Sequence, residues 1–254
     1  MQKLFLSLFT AHFFIAIVAV VLSLETAIIL QQPFQSKSFY FFVFLATHFA
    51  YNVYYIHTEN GQVHKMLALF SLFGSIAVLY FVPRHFYPKL LLIALPSALY
   101  ILPIFFKLDL NRGFRFIKLM VLIYVWVATT FILPISSFLY QSPMILYLLY
   151  RVVLLSFACI LFFIRDEWDQ SSKRTASIAA WILLLLQILL AVMVTITLNA
   201  EVGLCYMGIG MVNIILGIRF LNTTQSNLQY QMYVDGVLFL QGFIITIIYF
   251  LKIS

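Results

Sequence analysis

Residues 8–30, LFTAHFFIAIVAVVLSLETAIIL, hold a single charged side chain, Glu25, in an otherwise apolar run. A hydrocarbon core of roughly 30 Å is crossed by about 20 helical residues at 1.5 Å each. The run is too long for the core of a signal peptide and shows no small-residue cleavage site, so it reads as a first membrane span. That reading extends outward along the chain. The 254 residues are 64% hydrophobic and 9% charged, with a mean hydropathy of +1.06, against about 25% charged residues in an ordinary soluble domain. A soluble core could not hide so much apolar surface.

Apolar length, Pro and Gly breaks and charged gaps place spans near 8–30, 38–56, 64–82, 88–106, 113–133, 144–164, 177–197, 203–219 and 231–251. The eighth is short and glycine-bearing, closed off by LNAE (198–201) and NTTQSNLQ (222–229). Pro96 and Pro103 fall inside the fourth, where a membrane helix tolerates a kink if its neighbours satisfy the freed carbonyls. The expected fold is all-α: a polytopic membrane protein of nine transmembrane helices forming one domain over 1–254. Cys159 and Cys205 lie far apart in apolar runs and read as small buried hydrophobes.

Charge orients the bundle. The amino terminus and the loops after even-numbered spans carry Lys3, Lys65, Lys107, Arg112, Arg115, Lys118, Arg165, Lys173, Arg174 and Arg219, ten in all, against Lys37, Arg84, Lys89 and Lys252 on the other side. Cytoplasmic loops keep the excess, so the amino terminus is expected inside and the carboxyl terminus on the opposite side. The net charge of +7 sits in loops between spans and does not suggest a nucleic-acid partner.

Three of the inward junctions concentrate chemistry. THFAYNVYYIHTENGQVHK (47–65) aligns Asn52, Tyr55 and Glu59 at i, i+3 and i+7, one helical face. FFKLDLNRGFRFIKL (105–119) puts Arg112 and Arg115 on one face, with Lys118 nearby. FFIRDEWDQ (162–170) gathers three of the eight acidic residues and aligns Asp166, Asp169 and Lys173. Carboxylates beside Arg and Lys at a membrane surface suit a lipid diphosphate. Mg²⁺ takes one or two carboxylates plus phosphate oxygens, and Arg forks grip the remaining oxygens. A solvated loop of self-neutralising pairs, each worth about 0–1 kcal/mol, is the plainer alternative.

In order and spacing, these words resemble the UbiA-type intramembrane prenyltransferase superfamily. FVFLATHFAYN (42–52) is similar to the family's approach to its first Asp-rich motif. Residues 99–134 resemble its fourth-to-fifth-span region, with Arg112, Lys118, Trp126 and Pro134 in place, while FFIRDEWDQ resembles its second motif and YQMYVDGVLFLQG (230–242) the start of its last span. The resemblance implies a bundle around a cytoplasm-facing cavity. It also implies a polyprenyl diphosphate or related isoprenoid as the lipid partner, with Mg²⁺ as the ion.

The departures define the expectation. The family's first motif reads NDxxDxxxD; from Asn52 this chain supplies Val53, Ile56 and Asn60 instead, with Glu59 one position short. In the second, DxxDxxxD, Phe163, Asp166 and Gln170 occupy the three places, and Asp169 lies one residue early. Two ions cannot be held. A single Mg²⁺ at Asp166 and Asp169, the candidate catalytic and metal residues, is the most the pattern allows. Asn52, Tyr55, Arg112, Lys118, Arg165 and Lys173 are the candidate substrate-binding residues. We therefore expect a retained fold and lipid-accepting cavity with prenyl transfer impaired. The alternatives are an active Mg-dependent prenyltransferase with one altered site, or a small membrane transporter. Against a transporter, charge gathers at the cytoplasmic mouth, and nine spans do not divide into inverted halves. A docking scaffold would have only short loops to offer against the ~800 Å² per partner of a standard interface.

A few polar residues lie deeper. Glu25 and Arg151 sit about 7 and about 10 Å from the outer ends of spans one and six at 1.5 Å per residue, so they either pair or snorkel separately. His12 and His48 are expected to hydrogen-bond within the bundle. Asp235 either faces the cavity or stabilises a helix start. Trp168 and Trp181 read as interface anchors flanking the acidic loop.

Overall fold

The computed structural model describes residues 12–56, 61–105, 112–135, 142–166, 170–222, 229 and 231–253. Among these the chain forms nine α-helices and no strand: α1 (Phe13–Ile29), α2 (Lys37–Tyr54), α3 (Gly61–Leu79), α4 (Tyr87–Phe105), α5 (Arg112–Val127), α6 (Ser142–Asp166), α7 (Gln170–Thr197), α8 (Ala200–Asn222) and α9 (Gly236–Ile253). Each coincides with one apolar segment of the sequence. Five stretches are long and apolar enough to cross a membrane: Gly61–Leu79, Met144–Arg165, Lys173–Thr197, Ala200–Leu221 and Met232–Lys252. The protein is a helical membrane protein.

α3 shows why. Met66, Phe70, Phe73 and Ile76 are exposed, while His64, Ala68, Ser71 and Ser75 are buried. Both sets recur at helical spacing, but the arrangement inverts that of a water-soluble helix. Small and polar side chains face protein and large apolar ones face outward, the pattern that lets membrane helices pack closely and bond across the interface.

The helices fall into two compact units. Unit 1 comprises Met1–Leu24 and Pro33–Pro134; unit 2 comprises Glu25–Gln32 and Ile135–Ser254. In unit 1, α2 packs chiefly on α3 and also on α4, and α4 packs on α5. Ser36 caps α2, its hydroxyl accepting from the Phe39 N–H at 3.2 Å. The turn into α3 depends on Gly61, since a Cβ there would strike the Ile56 carbonyl oxygen. α5 widens into a π-turn over Ala128–Ile132, where the Leu133 N–H reaches the Ala128 carbonyl at 2.8 Å. Pro134 explains the widening, because it has no N–H to continue the ladder and its ring would crowd the carbonyl four residues back.

In unit 2, α7 packs against both α6 and α8, and α8 against α9. α7 and α8 are joined by a connection of two residues, Leu198 and Asn199. The Asn199 side-chain oxygen accepts from the Glu201 and Val202 N–H groups at 3.0 and 3.1 Å, capping α8. Gly203 permits the tight hairpin, as a Cβ would overlap Thr195. A second π-turn, Gln231–Asp235, leads into α9.

Candidate functional site

Unit 1 has a polar centre where α2 meets α3. Asn52 fixes its logic. Its Nδ2 donates to the His48 carbonyl at 2.9 Å, which identifies the amide nitrogen, and lies 3.2 Å from His48 Nε2. An NH₂ group needs an acceptor, so His48 Nε2 carries the lone pair and its Nδ1–H donates to Ser71 Oγ at 2.6 Å. The other end of the amide, Oδ1, accepts from His64 Nδ1 at 2.9 Å. The bonds thus run in one sense, His64 to Asn52 to His48 to Ser71, all buried. Beside them, the His12 ring stacks on Tyr55 with centroids 4.4 Å apart and lies 5.3 Å from His64. Nearby, Tyr54 and Tyr100 stack, and Lys118 Nζ lies 4.8 and 5.0 Å from their centroids. Two rings therefore share the cation. Trp126 Nε1 donates to the Tyr51 hydroxyl at 3.2 Å.

Unit 2 has a longer polar network. Glu25 Oε2 pairs with Arg151 Nη2 at 2.8 Å, and the two side chains are 0% and 2% exposed. Glu25 Oε1 accepts from Tyr206 Oη and Gln241 Nε2, each at 2.9 Å. Behind Gln241 the chain continues. Tyr150 Oη lies 3.3 Å from Gln241 Oε1, Gln187 Nε2 donates to Tyr150 Oη at 3.1 Å, and Asn213 Nδ2 donates to Gln187 Oε1 at 3.1 Å. The amide donors of Asn213, Gln187 and Gln241 all point towards the carboxylate, while the one Tyr150 hydroxyl proton has two acceptors in reach, Gln241 Oε1 at 3.3 Å and the Tyr206 carbonyl at 3.4 Å. The Tyr150 and Tyr206 rings stack in parallel, 3.7 Å apart. α1, α6, α7, α8 and α9 each contribute at least one member. Of the two fates open to Glu25 and Arg151, the structure shows the ion pair.

At the α6 end of unit 2, Arg165 lies over the Phe162 ring at 5.1 Å and within electrostatic reach of Asp235, which is buried where the π-turn meets α9. Arg219, at the end of α8, sits 5.1 Å over Tyr233 of the same turn. The second acidic word and the start of the last helix therefore come within electrostatic reach of each other through Arg165 and Asp235.

The candidate residues divide accordingly. Asn52, Tyr55 and Lys118 lie in unit 1, close to the α2–α3 turn. Arg165 and Lys173 belong to unit 2, with Lys173 half-buried in the second turn of α7. Asp169, Glu59, Asn60 and Trp168 lie outside the described residues, as do the side chains of Asp166 and Arg112. Asn52 is committed at both ends to histidines, and among the described residues no three His, Cys, Asp or Glu side chains gather to hold a metal. The α2–α3 centre, with its imidazoles and amide, does not fit Mg²⁺, which takes hard oxygen ligands. His48 is hydrogen-bonded as expected. For His12 the expectation is corrected: its Nε2 has no hydrogen-bond partner among the described residues, and the ring stacks instead. Cys159 is buried and Cys205 half-buried, both free.

Sequence reasoning missed His64 as the partner of Asn52, and missed Tyr150, Gln187, Tyr206, Asn213 and Gln241 altogether. The available signal was weak: one or two lone polar residues in each apolar helix, which a buried interface or a bond to the helix's own backbone would produce equally. No family model, no curated protein and no solved structure matches the chain.

Proposed function

We propose that this membrane protein accommodates a polyprenyl diphosphate or a related isoprenoid lipid at the cytoplasmic mouth of a UbiA-like bundle of nine spans, with prenyl transfer impaired. The supporting observation is that Arg165 lies within electrostatic reach of the buried Asp235, while Arg219 sits over Tyr233 of the same turn. These residues come from separate words of the sequence and put one guanidinium within electrostatic reach of a buried acid and a second over the neighbouring Tyr233 ring. Guanidinium forks suit diphosphate oxygens. The ten-to-four bias of Lys and Arg supports a cytoplasmic position for that end and for the amino terminus. A single Mg²⁺, held by Asp166 and Asp169, would supply charge neutralisation on the diphosphate. A transporter needs ionisable groups on a path through the membrane. Glu25 and Arg151 instead sit fully packed and mutually paired.

The test is binding of radiolabelled farnesyl diphosphate to the full chain in lipid nanodiscs, with and without Mg²⁺. Saturable binding weakened at least tenfold by Arg165→Ala, and unchanged by Lys252→Ala, is the expected result. Absent or non-saturable binding refutes the reading. In the same preparation, transfer to added acceptors that is abolished by Asp166→Ala would establish the active-enzyme alternative.

A further inference from the structure

We propose that the corner of unit 1 between His12, Tyr55 and His64 binds the hydroxyl group at the head of an apolar molecule. It does not rest on the diphosphate reading of unit 2. The inference starts from the direction of the hydrogen bonds. Asn52 Oδ1 only accepts, so His64 must spend its Nδ1 proton there. In the neutral ring the remaining nitrogen, Nε2, is a bare acceptor held in orientation by the amide. A histidine oriented through one nitrogen with the other left open is the arrangement that receives a proton donor.

The second observation is independent. His12 is 4% exposed, and its Nε2 has no hydrogen-bond partner among the described residues. Buried polar atoms are rarely left so. Its backbone is also in the left-handed region, φ 61°, which is uncommon for a residue other than glycine, though histidine enters it more readily than most. With the two imidazoles 5.3 Å apart, one small polar group serves both.

A hydroxyl matches this pair, since one oxygen donates to His64 Nε2 and accepts from His12 Nε2–H. A metal ion does not, because no third ligating side chain joins them among the described residues. The electrostatic neighbours of His12 among the described residues are two more imidazoles, His64 and His48, a setting that suits a neutral ligand. The rest of the molecule should be apolar. The rings of Tyr51 and Tyr55 border the corner, and the outer face of α3 is Met66, Phe70, Phe73 and Ile76.

The experiment uses the full chain in nanodiscs with ¹⁵N-labelled histidine. The probes are 4-nonylphenol and farnesol, each compared with its methyl ether, which keeps the shape and removes the donor. Nitrogen NMR should show an unprotonated Nε2 that disappears in His64→Gln. Either or both hydroxyl probes should shift it saturably, with the matching ether at least tenfold weaker; which one acts tells a phenol from an aliphatic alcohol. A proton found on His64 Nε2 would overturn the proposal. So would hydroxyl and ether acting alike, or neither probe acting, and these outcomes are read on the unmodified protein even if the variant fails to fold.

Discussion

Replacing Glu25 by alanine should destabilise unit 2 by about 3–5 kcal/mol, because it leaves a buried guanidinium with no counter-charge. The geometry accounts for the size. The substitution deletes the 2.8 Å pair to Arg151 and two 2.9 Å bonds, from Tyr206 and Gln241. Hydrogen bonds between membrane helices average about 0.6 kcal/mol each and reach about 1.7, so the two lost bonds contribute roughly 1–3 kcal/mol. The remainder is the unpaired charge of Arg151. Removing both charges is a different perturbation. A Glu25→Leu/Arg151→Met double variant leaves neither of these two ions buried, and such replacements are often neutral or stabilising. It should therefore be more stable than Glu25→Ala by at least about 2 kcal/mol, the difference being the charge-burial part of the cost.

Unfolding by SDS titration in mixed micelles, followed by circular dichroism, measures both. At about 1.4 kcal/mol per tenfold change, the single variant should shift the unfolding equilibrium by at least a hundredfold. Two outcomes refute the reasoning. A Glu25→Ala cost below about 1 kcal/mol would mean that Arg151 finds water or another partner, so that the pair is not a lock. A double variant costing the sum of the two single charge-deleting variants would mean that the charges do not interact.

The turn that positions His64 gives a sharper steric test. Gly61→Ala should lower the melting temperature measurably, since its Cβ strikes the Ile56 carbonyl. Gly208→Ala, where a Cβ meets nothing within 4 Å, should be neutral or stabilising by up to about 1 kcal/mol through helix propensity. Ser71→Ala should cost about 1–3 kcal/mol, because it leaves His48 Nδ1–H buried without its acceptor; a thermal shift within error of the parent would show that another group replaces it. Separating the exposed Lys252–Glu201 pair by Lys252→Ala should cost less than about 1 kcal/mol in the same assay, its 2.5 Å length notwithstanding.

The helices were legible in the sequence because membrane spanning is a one-dimensional requirement: enough consecutive apolar residues, bounded by charge or helix breakers. The segment 144–164 and the crossing-length stretch Met144–Arg165 show this directly, and so does the short eighth segment, which lengthens into α8 once Asn199 caps it. Partnership is a different kind of information. Glu25 and Arg151 could be matched because charge at that depth is costly and the chain offers few other charges to meet it. Gln187, Asn213 and Gln241 carry no such constraint, since a lone amide in an apolar helix has many acceptable partners and its choice is made by helix rotation. His64 was hidden by position, since it opens α3 beyond a gap whose polar letters read as loop. What joins it to Asn52 is the glycine at 61, which lets the backbone turn closely enough for the two side chains to meet. A network that only three-dimensional packing can select should also be the one that repacks first. Weakening Asn213 or Gln187, at the far end of the donor chain, should therefore loosen the bonds on Glu25 before it breaks the ion pair.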